Sequence, residues 1–187
     1  MLFNPHRKYD FMPEVKINSH VLEVVEKTKL LGITLTSNLK CTENTMNLTA
    51  RAYGRLWSLR RLKSIGTPPE ELLDTYYKQV RSVLELAVPV WHPGLTVQDS
   101  KSIERVQKAA LAIILGDSYH SYQKALNLLD VKPLDQIRED LCLTFALKTS
   151  QQQKSKHWFV PTPRHTPPST GLFGHVQIGT KEHLFPI

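Results

Sequence analysis

Residues 67–116 constrain the fold most, because they repeat one helical pattern on either side of a proline-containing corner. Apolar side chains recur at three- and four-residue steps, first at Leu72, Leu73, Tyr76, Val80, Val83 and Leu84, and then at Ile103, Val106, Ala110, Ile113 and Ile114. That spacing places each set on one face of an α-helix. Pro89 and Pro93 interrupt the pattern between the two sets. The stretch therefore predicts two amphipathic helices joined by a short corner.

Capping signals mark both ends of this pattern. Thr67 stands three residues before Glu70, and Thr96 stands three residues before Asp99. Such pairs predict reciprocal side-chain and main-chain hydrogen bonds at the N-terminus of a helix. Gly116 predicts the end of the second helix, because glycine adopts a left-handed conformation at little cost.

The residues before this stretch predict three short strands and one long helix. The strands cover residues 15–17, 21–25 and 29–36, with Gly32 as a bulge or a close backbone approach in the third. The helix covers residues 42–64, where leucines recur at helical spacing. Strands this short bury little apolar surface, so we expect a helix to cover them.

Two more helices follow, over residues 121–129 and 133–150, and the second carries apolar residues on more than one side. The composition then turns rich in proline and glutamine. We expect a mainly α protein, a helical bundle of about five helices with a short N-terminal β-strand portion and a disordered C-terminal tail. The expected division is residues 1–36 for the β portion, 37–150 for the helical domain and 151–187 for the tail.

Composition favours an anionic partner. The chain of 187 residues carries a formal net charge of +7, and its pI is about 9.4. The charge fits nucleic acid, an anionic membrane surface, or a soluble domain that happens to be basic. Of these, RNA or an RNA–DNA duplex is the partner we expect. The two cysteines form no disulfide framework, and no apolar run reaches the length of a membrane span. We therefore expect an intracellular protein, nuclear or cytoplasmic, that is neither secreted nor bound to a membrane.

Motifs that carry catalysis do not occur in the sequence. It contains no H-E-x-x-H zinc motif, no glycine-rich phosphate loop and no G-x-S-x-G serine elbow. Nor does it contain the pair of aspartates that would hold two magnesium ions for nucleotidyl transfer. We therefore expect no catalytic residues, no metal ligands and no cofactor.

Basic residues with aromatic neighbours are the remaining functional signal. They lie on two predicted helices, as Arg51, Arg55, Trp57, Arg60, Arg61 and Lys63 on the first and Lys101, Arg105 and Lys108 on the second. The cations are candidates for phosphate contacts, and Trp57 is a candidate for stacking on a base. In the alternative interpretation the charges only solubilise outer faces and Trp57 belongs to the core.

Several short motifs occur in one order along the chain, namely Leu30-Leu31-Gly32, Arg55-Leu56-Trp57, Arg60-Arg61-Leu62-Lys63, Val88-Pro89-Val90-Trp91 and Ile103-Glu104-Arg105-Val106-Gln107-Lys108. In this order they resemble the C-terminal thumb and linker part of the reverse transcriptase of non-LTR retrotransposons of the jockey-like kind. The Tyr-x-Asp-Asp motif that marks the palm in that family is absent from the sequence.

The resemblance implies a fragment of an RNA-directed DNA polymerase that is not an enzyme by itself. It also implies a thumb that helps to hold the template–primer duplex, a role that would fall on the basic helix from Arg51 to Lys63. Two alternatives remain open from the residues. One is a helical protein-interaction module without nucleic-acid binding, and the other is a subunit completed in trans by a palm-bearing chain.

Overall fold

The computed structural model describes residues 14–155, which fold into seven α-helices, one π-helical segment and two small antiparallel sheets. The prediction of a mainly α protein with a short N-terminal β portion is thus confirmed. The predicted disorder of the tail falls almost wholly on residues 156–187, outside the described residues. The division into three parts stays a prediction.

Both sheets are two-stranded hairpins closed by tight turns. In the first, β1 (Lys16–Ile17) pairs with β2 (His20–Val21). The residues between them, Asn18 and Ser19, both have positive φ, at 48° and 68°. Positive φ at both central positions is typical of the turns whose twist matches that of the flanking strands.

The second hairpin corrects the prediction of a single strand over residues 29–36. There β3 (Lys27–Leu30) pairs with β4 (Ile33–Thr36), and Leu30 lies opposite Ile33. The chain reverses at Leu31 and Gly32, whose φ angles are 48° and 86°. The sequence pattern predicted that Gly32 marks a bulge or a close backbone approach. Gly32 is instead one of the two left-handed residues of a tight turn.

The long helix α1 covers Thr42–Ser64, as its leucine spacing predicted. Its apolar stripe of Leu48, Ala52, Leu56 and Leu59 is completely buried. The remaining helical elements are α2 (Pro69–Thr75), a π-helical segment (Tyr76–Arg81), α3 (Ser82–Leu84), α4 (Val88–Trp91), α5 (Val97–Leu115), α6 (Tyr122–Leu129) and α7 (Leu134–Gln151).

The N-terminus of α5 has a side-chain capping box, whereas that of α2 has no side-chain cap. The predicted box at Thr96 is confirmed, because its hydroxyl accepts from the Asp99 N–H at 3.1 Å and the Asp99 carboxylate accepts from the Thr96 N–H. The predicted box at Thr67 is wrong. There the N-cap is Pro68, which makes no side-chain capping bond, because the helix begins one residue later than the pattern suggested.

The core lies where α1 packs along α5, and the other helices close around that pair. One buried polar side chain links four elements. Gln107 accepts from the Tyr76 hydroxyl at 2.6 Å and donates to the Tyr122 hydroxyl and to the Lys132 carbonyl. Because both its acceptor and its donors are satisfied, Gln107 fixes the relative positions of the π-helical segment, α5, α6 and the loop before α7 at little desolvation cost.

The second half of α7 extends past the core. Leu134 and Ile137 are buried, but Leu143, Phe145 and Leu147 are each more than half exposed. The prediction that this helix is covered on more than one side is therefore wrong within the described residues. Its apolar residues occupy two faces, whereas only Leu134 and Ile137 are buried in the core and Leu141 and Cys142 pack against it.

Candidate nucleic-acid interface

The solvent-facing side of α1 carries two aromatic rings and two arginines. Trp57 is 68% exposed, and Tyr53, one turn earlier, is 42% exposed. Arg60 and Arg61 follow within one turn of Trp57 and are also exposed. We call these four residues, Tyr53, Trp57, Arg60 and Arg61, the basic aromatic face. At about 3.6 residues per turn, Trp57 and Arg61 fall opposite the buried stripe of α1, and Tyr53 and Arg60 fall on the adjoining flank.

This face has no acidic residue of its own to neutralise it. Between Glu43 and Glu70 the chain contains no aspartate or glutamate. Glu43 is already paired with Lys27 at 3.3 Å. Among residues 14–155, no salt bridge involves Arg60 or Arg61. The two guanidinium groups are thus available to an anion from solution.

Two of the basic residues predicted to contact phosphate instead donate to carbonyl groups within the fold. Arg55 donates from Nη1 to the Gln79 carbonyl at 2.7 Å, at the π-helical segment. Lys63 donates from Nζ to the Ile114 carbonyl at 2.9 Å, in the last turn of α5. A cation at this helix end is favoured by the dipole of α5 as well as by the hydrogen bond. Both side chains hold helices together in this structure.

The predicted residues on α5 lie on a different side of the molecule. Lys101, Arg105 and Lys108 occupy the exposed face of that helix. Because α1 and α5 pack through their buried faces, their exposed faces point in opposite directions. Lys108 is also held above the ring of Tyr122, with Nζ 4.9 Å from the ring centroid. The predicted basic residues therefore lie in two separate groups, one on α1 and one on α5, and do not form one continuous surface.

Arg51 is exposed on α1, but it lies on the flank nearer to Arg55 than to Trp57. Tyr53, in contrast, belongs to the basic aromatic face although the sequence analysis did not select it as a site residue. The signal that could have found it is its position four residues before Trp57, which puts the two rings on one helix face.

Over residues 14–155, no cluster of three or more histidine, cysteine or acidic side chains is arranged to hold a metal ion. None of the helices described combines the length and the apolar character needed to cross a membrane.

Comparison with known proteins gives one partial similarity. The tryptophan synthase alpha chain of Campylobacter jejuni subsp. doylei is 28% identical over 131 residues, which cover 67% of this chain and 51% of that protein. The chain thus spans about half the length of the curated relative it matches. No protein-family model and no solved structure matches the chain.

These findings correct two expectations. The resemblance to a non-LTR reverse transcriptase is wrong, because the curated protein that the chain matches is of another kind and nothing in the comparisons points to a reverse transcriptase. Three of the five motifs that carried the resemblance lie on α1 and α5, where leucine, valine and arginine at these spacings also follow from an amphipathic helix alone. The expectation that the chain is not an enzyme is contradicted by the same match, since the relative is named as a synthase chain.

Proposed function

We propose that the basic aromatic face of α1 binds RNA or an RNA–DNA duplex without reading its sequence. The observation that carries the proposal is the exposure of Trp57, 68% of whose surface is open to solvent beside two unpaired arginines. A tryptophan that served only the core would be buried, as Trp91 is at 1% exposure. Exposed aromatic rings beside cations are the arrangement that holds nucleic acid by stacking and by phosphate contacts.

Each residue of the face has a separate part in this proposal. Arg60 and Arg61 contact phosphate oxygens, which fixes the backbone without sequence information. Trp57 and Tyr53 stack on an unpaired or terminal base, and stacking tolerates any base because every base has a π face. None of the four residues is needed for the core. The face can therefore be altered without unfolding the protein.

A salt titration tests this proposal. A fluorescein-labelled oligouridylate, an RNA duplex and an RNA–DNA duplex are titrated with the protein, and fluorescence anisotropy is recorded from about 50 mM to about 200 mM salt. Two phosphate contacts predict that the logarithm of affinity falls with the logarithm of salt at a slope of about −1.4 to −1.8. An affinity that does not change with salt would contradict the proposal.

The matched pair Trp57→Ala and Trp57→Phe isolates the stacking part. Loss of one stacked ring costs about 1–3 kcal/mol, so the alanine variant should bind about 5- to 150-fold more weakly while the phenylalanine variant keeps most of the affinity. Equal affinities of the two variants would show that Trp57 does not stack. If the protein bound other proteins but none of the three nucleic acids, the helical interaction module would be favoured. The exposed apolar residues of α7 would then be the candidate contacts.

The match to a synthase chain supports a second candidate function, a catalytic one. It rests on the 28% identity over 131 residues. Expression of this chain in a tryptophan-requiring bacterium that lacks its synthase alpha chain tests it directly. Growth without added tryptophan would support this function, and the absence of growth despite soluble expression would contradict it.

A further inference from the structure

Gly54 lies in the middle of α1, at a position where the fold itself does not require a glycine. Glycine weakens a helix relative to alanine, so its presence there needs a reason. Its φ is not positive, and the backbone therefore does not require it. A Cβ built at Gly54 would meet nothing within 4 Å among the described residues, so packing does not require it either. The absent side chain leaves a smooth patch of helix surface that is open to solvent.

This smooth patch adjoins the two aromatic rings of the basic aromatic face. Tyr53 is the preceding residue, and Trp57, which is 68% exposed, follows Gly54 by three positions. Side chains on a helix lean toward its N-terminus, so the Trp57 ring extends over the turn that contains Tyr53 and Gly54. Residues three apart are neighbours on a helix surface, and a larger side chain at position 54 would stand beside that ring. Gly54 therefore keeps the space next to the Trp57 ring open.

The rings of Tyr53 and Trp57 are free to receive a flat ligand. Among residues 14–155, the rings that contact one another are those of Tyr76 and Tyr77, and neither Tyr53 nor Trp57 is covered by a cation. Four residues separate Tyr53 from Trp57, which is about 6 Å along the helix axis. A base stacked between two rings needs about 7 Å, twice the spacing of about 3.4 Å between stacked bases. The two distances are close enough for the rings to admit one base.

A single strand offers such a base at lower cost than a duplex does. In a duplex each base is paired and stacked on its neighbours, and its removal from the stack costs free energy. A single strand presents the faces of its bases to aromatic side chains while its backbone follows a line of cations. Arg60 and Arg61 supply the cations, since within the described part of the chain neither takes part in a salt bridge.

We propose that the basic aromatic face binds single-stranded nucleic acid in preference to a duplex. One unpaired base lies between the rings of Tyr53 and Trp57, next to the bare backbone of Gly54. The flanking phosphates lie on Arg60 and Arg61. This inference rests on the function proposed above and narrows it, because it names the strand state of the ligand and adds Gly54 as a residue that determines specificity.

Two forms of one RNA–DNA duplex test the strand preference. In the closed form, non-nucleotide linkers join the strands at both ends, so that no base is unpaired and no terminal base pair is open. In the overhang form, a single-stranded run of uridines replaces one linker. Both forms carry fluorescein and are titrated with the full-length protein, and anisotropy is recorded over the same range of salt. The contribution of one stacked base predicts that the closed form binds about 5- to 150-fold more weakly.

The outcomes of this titration separate the inference from the function on which it rests. If both forms bind equally and their affinity falls with salt, the protein binds the duplex backbone. The strand preference is then overturned while nucleic-acid binding stands. If neither form binds at any salt concentration, both the preference and the proposed function are overturned.

Gly54→Leu tests the part of the glycine, and Ala146→Leu at an exposed position of α7 is the matched control. Leucine favours a helix over glycine, so Gly54→Leu should raise the urea midpoint while it weakens binding of the overhang form about fivefold or more. Weaker binding by a more stable protein does not result from unfolding. Ala146→Leu should leave the affinity unchanged. If Gly54→Leu keeps the affinity, or if Ala146→Leu loses as much of it, no base lies beside Gly54 and the inference fails.

Discussion

Gly94 has no room for a side chain, because a Cβ there would collide with the thiol of Cys41. A Cβ added there would lie 2.8 Å from Cys41 Sγ. Real Cβ atoms do not approach other atoms so closely, so the corner after α4 depends on glycine for space and not for a left-handed backbone.

Gly94→Ala should therefore lower the free energy of unfolding by about 1–3 kcal/mol in urea denaturation, because Cys41 must move. Gly54→Ala is the control, since a Cβ at Gly54 meets nothing within 4 Å and alanine favours a helix by up to about 1 kcal/mol. Adding Cys41→Ala to the first variant should restore most of the loss. If the Gly94→Ala protein were as stable as the Gly54→Ala protein, Cys41 would not lie against Gly94.

His92 should make stability depend on pH. Burial, followed by the positive charge of Arg138, lowers the pKa of His92 below its ordinary 6.5, although Glu139 acts in the opposite direction. The unfolded chain then binds a proton at a higher pH than the folded chain does. The stability that this residue contributes is complete above about pH 6.5 and is lost as pH falls through the lower folded pKa.

Replacement of His92 by glutamine tests this dependence. In urea denaturation at about pH 7.5 and about pH 5, the His92→Gln variant should lose less stability on acidification than the unaltered chain loses. His120→Gln is the control, because His120 is exposed in the loop before α6. An equal loss in the His92→Gln variant and the unaltered chain would mean that His92 is not responsible.

At the scale of elements, α2 and α5 differ in how they begin. Thr96 caps α5 through a reciprocal pair with Asp99, whose carboxylate also accepts from Thr42 of α1. Thr67 makes no such bond, because α2 begins after Pro68. Thr96 thus caps the start of α5, and its partner Asp99 joins that start to α1, whereas Thr67 belongs to a connecting loop.

Thr96→Ala should cost about 1 kcal/mol of unfolding free energy, the usual value of a lost cap, and Thr67→Ala should cost less than about 0.5 kcal/mol. Urea denaturation of the two variants at one pH measures both. Equal losses at the two threonines would contradict the assignment of the cap.

Helical spacing predicted the elements better than their connections. Leucines at regular steps were sufficient to set the bounds of α1, because burial of one stripe is the main source of stability for a surface helix. The turn at Leu31 and Gly32 was missed, since the positive φ of Leu31 follows from the tight turn that pairs β3 with β4 and not from the preference of leucine itself. The corner at Pro89 and Pro93 was placed correctly, yet its short helix α4 was not expected.

The candidate site was less predictable than the fold. Spacing alone does not tell whether a basic side chain on a helix flank points into solvent or donates to the carbonyl of a neighbouring element. Arg55 and Lys63 both donate to such a carbonyl. The exposure of Trp57 was equally open from the sequence, because the side of a helix away from its stripe is covered or not according to which elements pack there.

At the scale of the whole molecule, the positive charge is divided between two sides. The basic aromatic face of α1 and the exposed face of α5 point apart, with the core between them. A short nucleic acid seated on one side cannot contact the other, so the two sets of cations should act independently in binding. Within residues 14–155, exposed aromatic rings lie among the cations of the α1 side alone, and Lys108 on the α5 side is held over Tyr122.

Two double variants with equal charge change test this division. Arg60→Gln with Arg61→Gln, and Lys101→Gln with Arg105→Gln, each lower the formal net charge of +7 by two. The first pair should remove about 1.4–1.8 from the magnitude of the salt slope, because it removes both phosphate contacts, and the second should leave the slope nearly unchanged. Anisotropy titrations with the same labelled oligouridylate measure both. If the two pairs weaken binding equally, affinity follows net charge alone, and the basic aromatic face has no special part in it.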